Sequence, residues 1–146
     1  MPDCAMGAAP DIEAGLVLRG WKKRSLGGFM DCAGPLWTNK EEGGWACGML
    51  AAGRHLDPAR RGHGGLRETL MDHALSSIAW EASGRQKCVS LQMDTHFLAS
   101  AGAGMFIEAR GRVVHNTPGT FFMHGMLTVD SRPVMSAQAL MKVLTR

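Results

Sequence analysis

The apolar residues of this chain follow a helical period in one stretch and a strand period in much of the rest. Over residues 65–82, at about 100° per residue, one broad face collects the apolar side chains of Leu66, Leu70, Met71, Ala74, Leu75 and Ile78. The opposite side collects the polar side chains of Glu68, Thr69, Asp72 and Ser76. Arg67 is an exception, because it falls inside the apolar arc. The pattern predicts one long helix buried against a sheet, with a small polar site along its polar strip.

Strand patterns lie on both sides of the predicted helix. Residues 35–38 and 45–50 are typical of a hairpin around the polar loop 39–44. After the helix, further strands are predicted at residues 88–98, 105–115, 121–129 and 134–144. Because the connections between them are short, we expect these strands to form an antiparallel meander. The fold class is therefore α+β, with one curved sheet around one helix.

Residues 88–98 show the cleanest alternation in the chain. The two predicted faces of this strand are Val89, Leu91, Met93, Thr95 and Phe97 on one side, and Ser90, Gln92, Asp94 and His96 on the other. The pattern of residues 1–33 is weaker and indicates only a short helix within residues 10–23. We therefore expect an N-terminal segment over residues 1–33 and one domain over residues 34–146.

Composition narrows the classes of function. A chain of 146 residues, 45% hydrophobic and 20% charged, suits one domain with one core. The net charge is only +3, and no basic stripe lies beside stacking aromatic residues, which argues against nucleic-acid binding. No stretch approaches the roughly 20 apolar residues that cross a membrane. No metal site is expected, because the four cysteines, Cys4, Cys32, Cys47 and Cys88, form no C-x-x-C pair. The start of the chain lacks an apolar signal region, so we expect a reduced, cytoplasmic protein.

The candidate chemistry lies at the start of the predicted helix. His63-Gly64-Gly65 opens it, so backbone N–H groups there lack intrahelical partners and can hold a developing oxyanion. Asp72 lies two turns later, as an acid in a helix that otherwise looks buried. A buried carboxylate is costly unless it is paired or used. On the residues alone, Asp72 is either a catalytic acid or a carboxylate that caps a neighbouring element or pairs with Arg67 or His73.

His63-Gly64-Gly65 followed by Asp72 resembles the signature of hot-dog-fold thioesterases of the phenylacetate-degradation type. Residues 90–93, 97–101 and 104–114 also resemble that family's strands and the corner between them. The resemblance runs from about Gly34 to the C-terminus. It implies a hot-dog fold, with the sheet wrapped around the long helix.

The resemblance also implies an activity, the hydrolysis of acyl-CoA thioesters without a separate cofactor, coenzyme A being part of the substrate. Asp72 would be the nucleophile or the general base, and the Gly64 N–H would polarise the thioester carbonyl. Ser90 would orient the water or the carboxylate, and His63 and Gly65 would shape the substrate site. In the family, two protomers share each active site within a homodimer, commonly in a homotetramer.

Two positions depart from the family pattern. Asp57 stands where the family usually has Asn, and in a family-like dimer it would approach the Asp72 of the second protomer. Two neighbouring carboxylates disfavour joint ionisation, so this pair would shift activity to alkaline pH or share the role of base. The hairpin at residues 116–120 lacks the Lys or Arg that relatives place near the coenzyme A phosphates. Arg110 and Arg112 are the nearest substitutes.

The main alternative function is a non-catalytic acyl-CoA-binding or regulatory hot-dog domain. A hot-dog dehydratase is a further alternative, although it needs a His general base in the tunnel and His63 lies in the loop. A further, non-enzymatic hypothesis is a structural module for oligomerisation, which the resemblance disfavours. The acyl group is not identified; the candidate wall residues of its pocket are Met71, Leu75, Trp80 and Phe97.

Overall fold

The computed structural model of the protein describes residues 10–144, which form one seven-stranded antiparallel sheet packed against a long helix. The helices are α1 Pro10–Leu18, α2 Gly28–Ala33 and α3 Gly64–Ala82, with a short 3-10 turn at Gly53–His55. The strands are β1 Lys22–Arg24, β2 Leu36–Glu41, β3 Gly44–Leu50, β4 Cys88–Phe97, β5 Phe106–Thr117, β6 Thr120–Val129 and β7 Arg132–Val143. The predicted α+β architecture is confirmed.

Helix α3 is the centre of the core, as the sequence predicts. Leu70, Met71 and Leu75 on its apolar face are fully buried. They pack where glycines leave room in the sheet, since a Cβ on Gly111 would lie 2.5 Å from Leu75 Cδ2 and one on Gly125 would lie 2.5 Å from Met71 Sδ. Met71 and Leu75 therefore belong to the core, and the prediction that they form a pocket wall is wrong.

The order of the strands differs from a simple meander. The sheet runs β1-β2-β3-β5-β6-β7-β4, so of the four strands after α3 only β5, β6 and β7 are neighbours both in sequence and in space. Strand β4 pairs with β7 and leaves its other edge free within residues 10–144. The connection at residues 98–105 carries the chain from this edge back to β5 beside β3. Local periodicity does not report which strands pair, so the order was not predictable from it.

The hairpin of β2 and β3 is tighter than predicted. Both strands extend into the polar stretch, and Glu41 pairs with Gly44 across a two-residue turn. Gly44 has φ 123°, a conformation that side chains disfavour. The polar residues 39–41 thus belong to a strand, and the predicted long loop is wrong.

A β-bulge interrupts the alternation of β4. Ser90 pairs with Met141 and Gln92 pairs with Leu140, so Leu91 has no partner on β7. The extra residue reverses the faces on either side of it. Ser90 therefore faces α3 together with Thr95, whereas Leu91 is 57% exposed. The prediction that Ser90 and Thr95 lie on opposite faces is wrong, because periodicity alone does not reveal a bulge.

The described part of the N-terminal segment packs onto the edge of the sheet. Strand β1 pairs with β2. Leu16 of α1 and Trp21 form a second apolar cluster with Trp37 and Ala46. The ring of Trp21 meets the edge of Phe106 at 4.9 Å between centroids. The boundary between residues 33 and 34 stays a prediction. Within residues 10–144, no helix is long and apolar enough to cross a membrane.

Candidate active site

The first turn of α3 presents an unoccupied backbone donor. His63 is the N-cap residue, and its Nδ1 accepts a hydrogen bond from the Gly65 N–H at 2.8 Å. Gly64 is the first helical residue, so its N–H has no acceptor within the helix. The positive end of the helix dipole strengthens the attraction of this N–H for a negatively charged acceptor. His63 thus orders the turn and Gly64 offers the free N–H.

Asp72 lies two turns further along α3 and is half-buried. Its Oδ1 accepts a hydrogen bond from Ser90 Oγ at 2.5 Å. The partner is therefore the serine of the edge strand rather than Arg67 or His73. The bulge at Leu91 makes this contact possible, because it turns Ser90 towards the helix.

Glu68 repeats this arrangement one turn closer to Gly64. Its carboxylate accepts a hydrogen bond from the Thr95 hydroxyl of β4. The two acid–hydroxyl pairs therefore connect α3 to the edge strand along the polar strip. The i, i+4 spacing predicts that Glu68 and Asp72 lie on the same side of the helix. It does not predict that their hydrogen-bond partners come from β4, because that depends on how the strand packs.

The spacing of the two predicted catalytic groups within one chain is too large for a single reaction centre. At about 1.5 Å of rise per residue, Gly64 and Asp72 are separated by about 12 Å along the helix axis. A carbonyl that accepts from the Gly64 N–H must itself lie within about 3 Å of that nitrogen. Asp72 of the same chain is out of reach of such a carbonyl carbon.

Asp57 is held by its own loop. Its Oδ1 accepts from the Arg61 N–H at 2.9 Å, and its Oδ2 lies 3.7 Å from Arg61 Nε. The loop is fixed further by Gly62, where a Cβ would lie 1.6 Å from the carbonyl oxygen of Ala101. The proposed approach of Asp57 to a second protomer's Asp72 stays a prediction.

The two arginines suggested for coenzyme A occupy different surroundings on β5. Arg110 makes a bidentate ion pair with Glu41, at 2.8 and 2.6 Å, and also contacts Glu108 at 3.4 Å. Arg112 lines a cleft of about 460 Å³ on the outer face of the sheet, beside Asp94 and His124. The role of both arginines at coenzyme A phosphates stays a prediction. Arg112 is less engaged than Arg110, whose guanidinium contacts two carboxylates.

A separate cleft of about 400 Å³ lies on the other flank of α3 from Asp72. Trp80, one of the predicted wall residues, lines it together with Trp45 and His73. Burial lowers the pKa of His73, and the charge of Asp72 partly opposes this shift. Phe97, the fourth predicted wall residue, lies instead beside Gly64.

Sequence reasoning missed a buried histidine behind the site. His55 Nδ1 accepts from the Ala52 N–H at 2.9 Å, and its Nε2 lies 2.6 Å from the Ala33 carbonyl oxygen. The neutral tautomer with hydrogen on Nε2 satisfies both contacts. Burial lowers the pKa of His55. No local signal marks this residue, because one partner lies in the distant segment before β2.

Solved structures share this fold. A mutant form of the phenylacetic acid degradation protein PaaI from Thermus thermophilus is 24% identical, with a TM-score of 0.69, and the alignment covers 80% of this chain and 98% of that chain. A hypothetical thioesterase from Streptococcus pneumoniae, solved with coenzyme A, is 22% identical with a TM-score of 0.65, over 76% of this chain and 87% of that one. The protein smu.793 from Streptococcus mutans, bound to acetyl CoA, is 25% identical with a TM-score of 0.62, over 73% and 85%.

These likenesses confirm the predicted hot-dog fold. Comparison with curated proteins gives no match. A family model described as the thioesterase superfamily matches residues 61–135, which is half of the chain and includes the start of α3, Asp72 and Ser90. The chain belongs to the thioesterase superfamily.

Proposed function

We propose that this protein hydrolyses acyl-CoA thioesters, with Asp72 as nucleophile or general base and the Gly64 N–H polarising the thioester carbonyl. Thioester hydrolysis as the class of reaction follows from the family. Two structurally similar proteins that carry coenzyme A or acetyl CoA support coenzyme A as the thiol part of the substrate. Coenzyme A enters as substrate, and the proposal needs no separate cofactor.

The proposed reaction consumes one water for each thioester. The carbonyl oxygen accepts from the Gly64 N–H, where the helix dipole stabilises the charge that develops on it. Asp72 either attacks the carbonyl carbon or takes a proton from the attacking water. The carbon–sulfur bond then breaks and coenzyme A leaves. If Asp72 was the nucleophile, water next hydrolyses the acyl–Asp72 anhydride, so either route gives the free acid and coenzyme A. The thiolate is a good leaving group, so the site needs no strong general acid.

The contact between Ser90 and Asp72 is the observation that carries this proposal. A half-buried acid with one hydroxyl partner is held in a fixed direction without being neutralised by a cation. Within residues 10–144, no basic side chain forms an ion pair with Asp72. Such a carboxylate remains available to attack or to accept a proton.

A second copy of the chain would complete the site. The separation of about 12 Å between Gly64 and Asp72 excludes a centre built from one helix alone. Among residues 10–144, no strand pairs with the outer edge of β4, where Leu91 is 57% exposed, and an uncovered edge of this kind favours association. A dimer across this edge would bring the Gly64 of one protomer towards the Asp72 of the other. The homotetramer stays a prediction from the family.

The dehydratase alternative is not favoured by the surroundings of His63. Its Nδ1 is engaged by the Gly65 N–H, so the ring serves as a helix cap. The remaining alternative is a domain that binds acyl-CoA without turning it over. Such a domain would still need a cleft for the acyl-CoA and the Gly64 N–H, but its binding would not depend on the Asp72 carboxylate.

The decisive test is thiol release from a panel of aryl-, short- and medium-chain acyl-CoAs. We expect turnover by the wild type and a loss of at least about 100-fold in kcat for Asp72→Asn. Glu81→Gln is the matched control, because Glu81 is an exposed acid on the same helix. Binding of acyl-CoAs by wild type and Asp72→Asn without turnover by either would overturn the catalytic proposal and favour the binding domain.

A further inference from the structure

Arg67 is a buried cation in the first turns of α3, only 8% exposed. Its Nη1 donates to the carbonyl oxygens of Ala99 at 2.8 Å and Val134 at 3.3 Å. Its Nε has no hydrogen-bond partner among residues 10–144. No carboxylate of the described chain lies within ion-pair distance of it. The guanidinium is thus buried with its charge uncompensated.

The positive charge of Arg67 lies where it destabilises the folded protein. A buried charge without a counter-charge is costly, and an apolar side chain of similar size would serve the core better. The positive end of the helix dipole lies at the same place, so a cation is also unfavourable there. The first turn of α3 contains no acid that would offset either effect. Negative charge that forms near Gly64 during a reaction would relieve both.

Arg67 also contacts the wall of the candidate site. Its Cζ lies 4.6 Å from the centroid of the Phe97 ring, in a cation–π arrangement. A Cβ built on Gly64 would lie 3.2 Å from the Phe97 Cζ, so the same ring also adjoins the Gly64 backbone. Phe97 is 50% exposed and therefore has a face available to a bound molecule. The Phe97 ring therefore contacts the guanidinium of Arg67 and adjoins Gly64 with its Cζ end.

We infer that Arg67 is a positioning residue for thioester hydrolysis: it holds Phe97 as the apolar wall beside the Gly64 N–H and places a fixed positive charge behind that wall. The inference rests on the proposed function. Through its bonds to Ala99 and Val134, the guanidinium also ties the corner after β4 to the start of α3. The Gly64 N–H and the wall beside it then keep a fixed geometry as the oxyanion forms.

A double-mutant cycle tests this inference. Arg67→Met removes the charge and the bonds to the carbonyls and keeps an unbranched side chain as far as the Nε position, whereas Phe97→Leu removes the ring and leaves the bonds of Arg67 to the carbonyls. We expect each variant to lower kcat about tenfold with KM changed less than about twofold, since misplacement by an ångström costs rate more than binding. The double variant is expected to be no slower than the worse single variant, because both act through one contact.

Lys23→Met is the matched control, because Lys23 also lies over an aromatic ring, that of Trp37 at 5.7 Å, on strand β1 at the opposite end of the sheet from β4. It should leave kcat unchanged. Wild-type kcat in folded Arg67→Met, or losses that multiply in the double variant, would overturn the inference and leave Arg67 a structural residue.

Amide hydrogen exchange separates this inference from the proposed function. The Leu98 N–H is bonded to the Val134 carbonyl that also accepts from Arg67. We expect faster exchange at Leu98 and Ala99 in Arg67→Met and not in Lys23→Met. If the wild type releases no thiol from any thioester, the proposed function fails while this exchange result still decides whether Arg67 fixes the corner. Unchanged exchange would overturn the positioning role whatever the activity.

Discussion

At the scale of single residues, the proposed chemistry depends on a few groups whose surroundings give them distinct roles. Asp72 and Gly64 lie on one helix, yet one is a carboxylate held by Ser90 and the other a free backbone donor. Both were predictable, because a glycine pair at a helix start and an acid on its polar strip are local patterns. The contact with Ser90 was suggested only by resemblance, since the bulge that creates it has no signature in the alternation.

Replacing Gly64 by proline tests the backbone donor itself. Proline is tolerated at the first position of a helix, so Gly64→Pro removes the N–H while keeping the turn. We expect kcat with an acyl-CoA substrate to fall at least about 100-fold, as for loss of one oxyanion donor. Gly64→Ala brings a similar Cβ towards Phe97 but keeps the N–H, and it should lose far less. Equal losses in the two variants would assign the effect to crowding.

The buried His55 predicts a pH dependence of stability. Burial lowers its pKa in the folded protein, whereas the unfolded chain has the ordinary value of about 6.5. Below pH of about 6.5 the unfolded state therefore binds more protons, and the free energy of unfolding decreases as the pH falls; above it this contribution is fully present. Burial lowers the pKa of His73 as well, so it adds in the same direction.

Urea unfolding between about pH 5 and 8 measures this dependence. His55→Gln should flatten the decrease below about pH 6.5, and the exposed His96→Gln should leave it as in the wild type. An identical slope for His55→Gln and wild type would show that His55 does not contribute.

At the scale of elements, the helix and most strands follow from periodicity, but their arrangement does not. The apolar arc of α3 gave the correct helix, and Arg67 was visible there as an exception. Strand order, the bulge at Leu91 and the free edge of β4 depend on pairing with distant segments, on which local alternation is silent. Gly62 is a similar case. A glycine is needed there because the carbonyl oxygen of Ala101, in the connection after β4, leaves no room for a Cβ.

Gly62→Ala should destabilise the loop that leads into α3. The added Cβ would lie 1.6 Å from the Ala101 carbonyl oxygen, so backbone must move. We expect the free energy of unfolding to fall by about 1–3 kcal/mol, as in other overpacked sites, with a lower Tm by calorimetry. Gly102→Ala is the control, since a Cβ there meets nothing within 4 Å. Equal Tm values for the two variants would contradict the close contact.

At the scale of the whole molecule, the two groups of the proposed site lie too far apart in the described chain to act together. The Gly64 donor and the Asp72 acid are about 12 Å apart along α3, and no strand within residues 10–144 pairs with the edge of β4 beside Asp72. Both observations favour a symmetric pair in which each protomer supplies the half that the other needs. The resemblance to the family already predicted shared sites, and the position of β4 at the edge of the described sheet adds where a second protomer would pair.

Subunit complementation shows whether two protomers share each active site. Asp72→Asn and Gly64→Pro are each expected to be nearly inactive, so they are mixed by refolding together and assayed for thiol release from an acyl-CoA. If sites are shared, a mixed dimer contains one site with both groups intact, and random mixing should restore about a quarter of wild-type activity. Activity no greater than that of the two variants refolded separately would contradict a site built from two protomers.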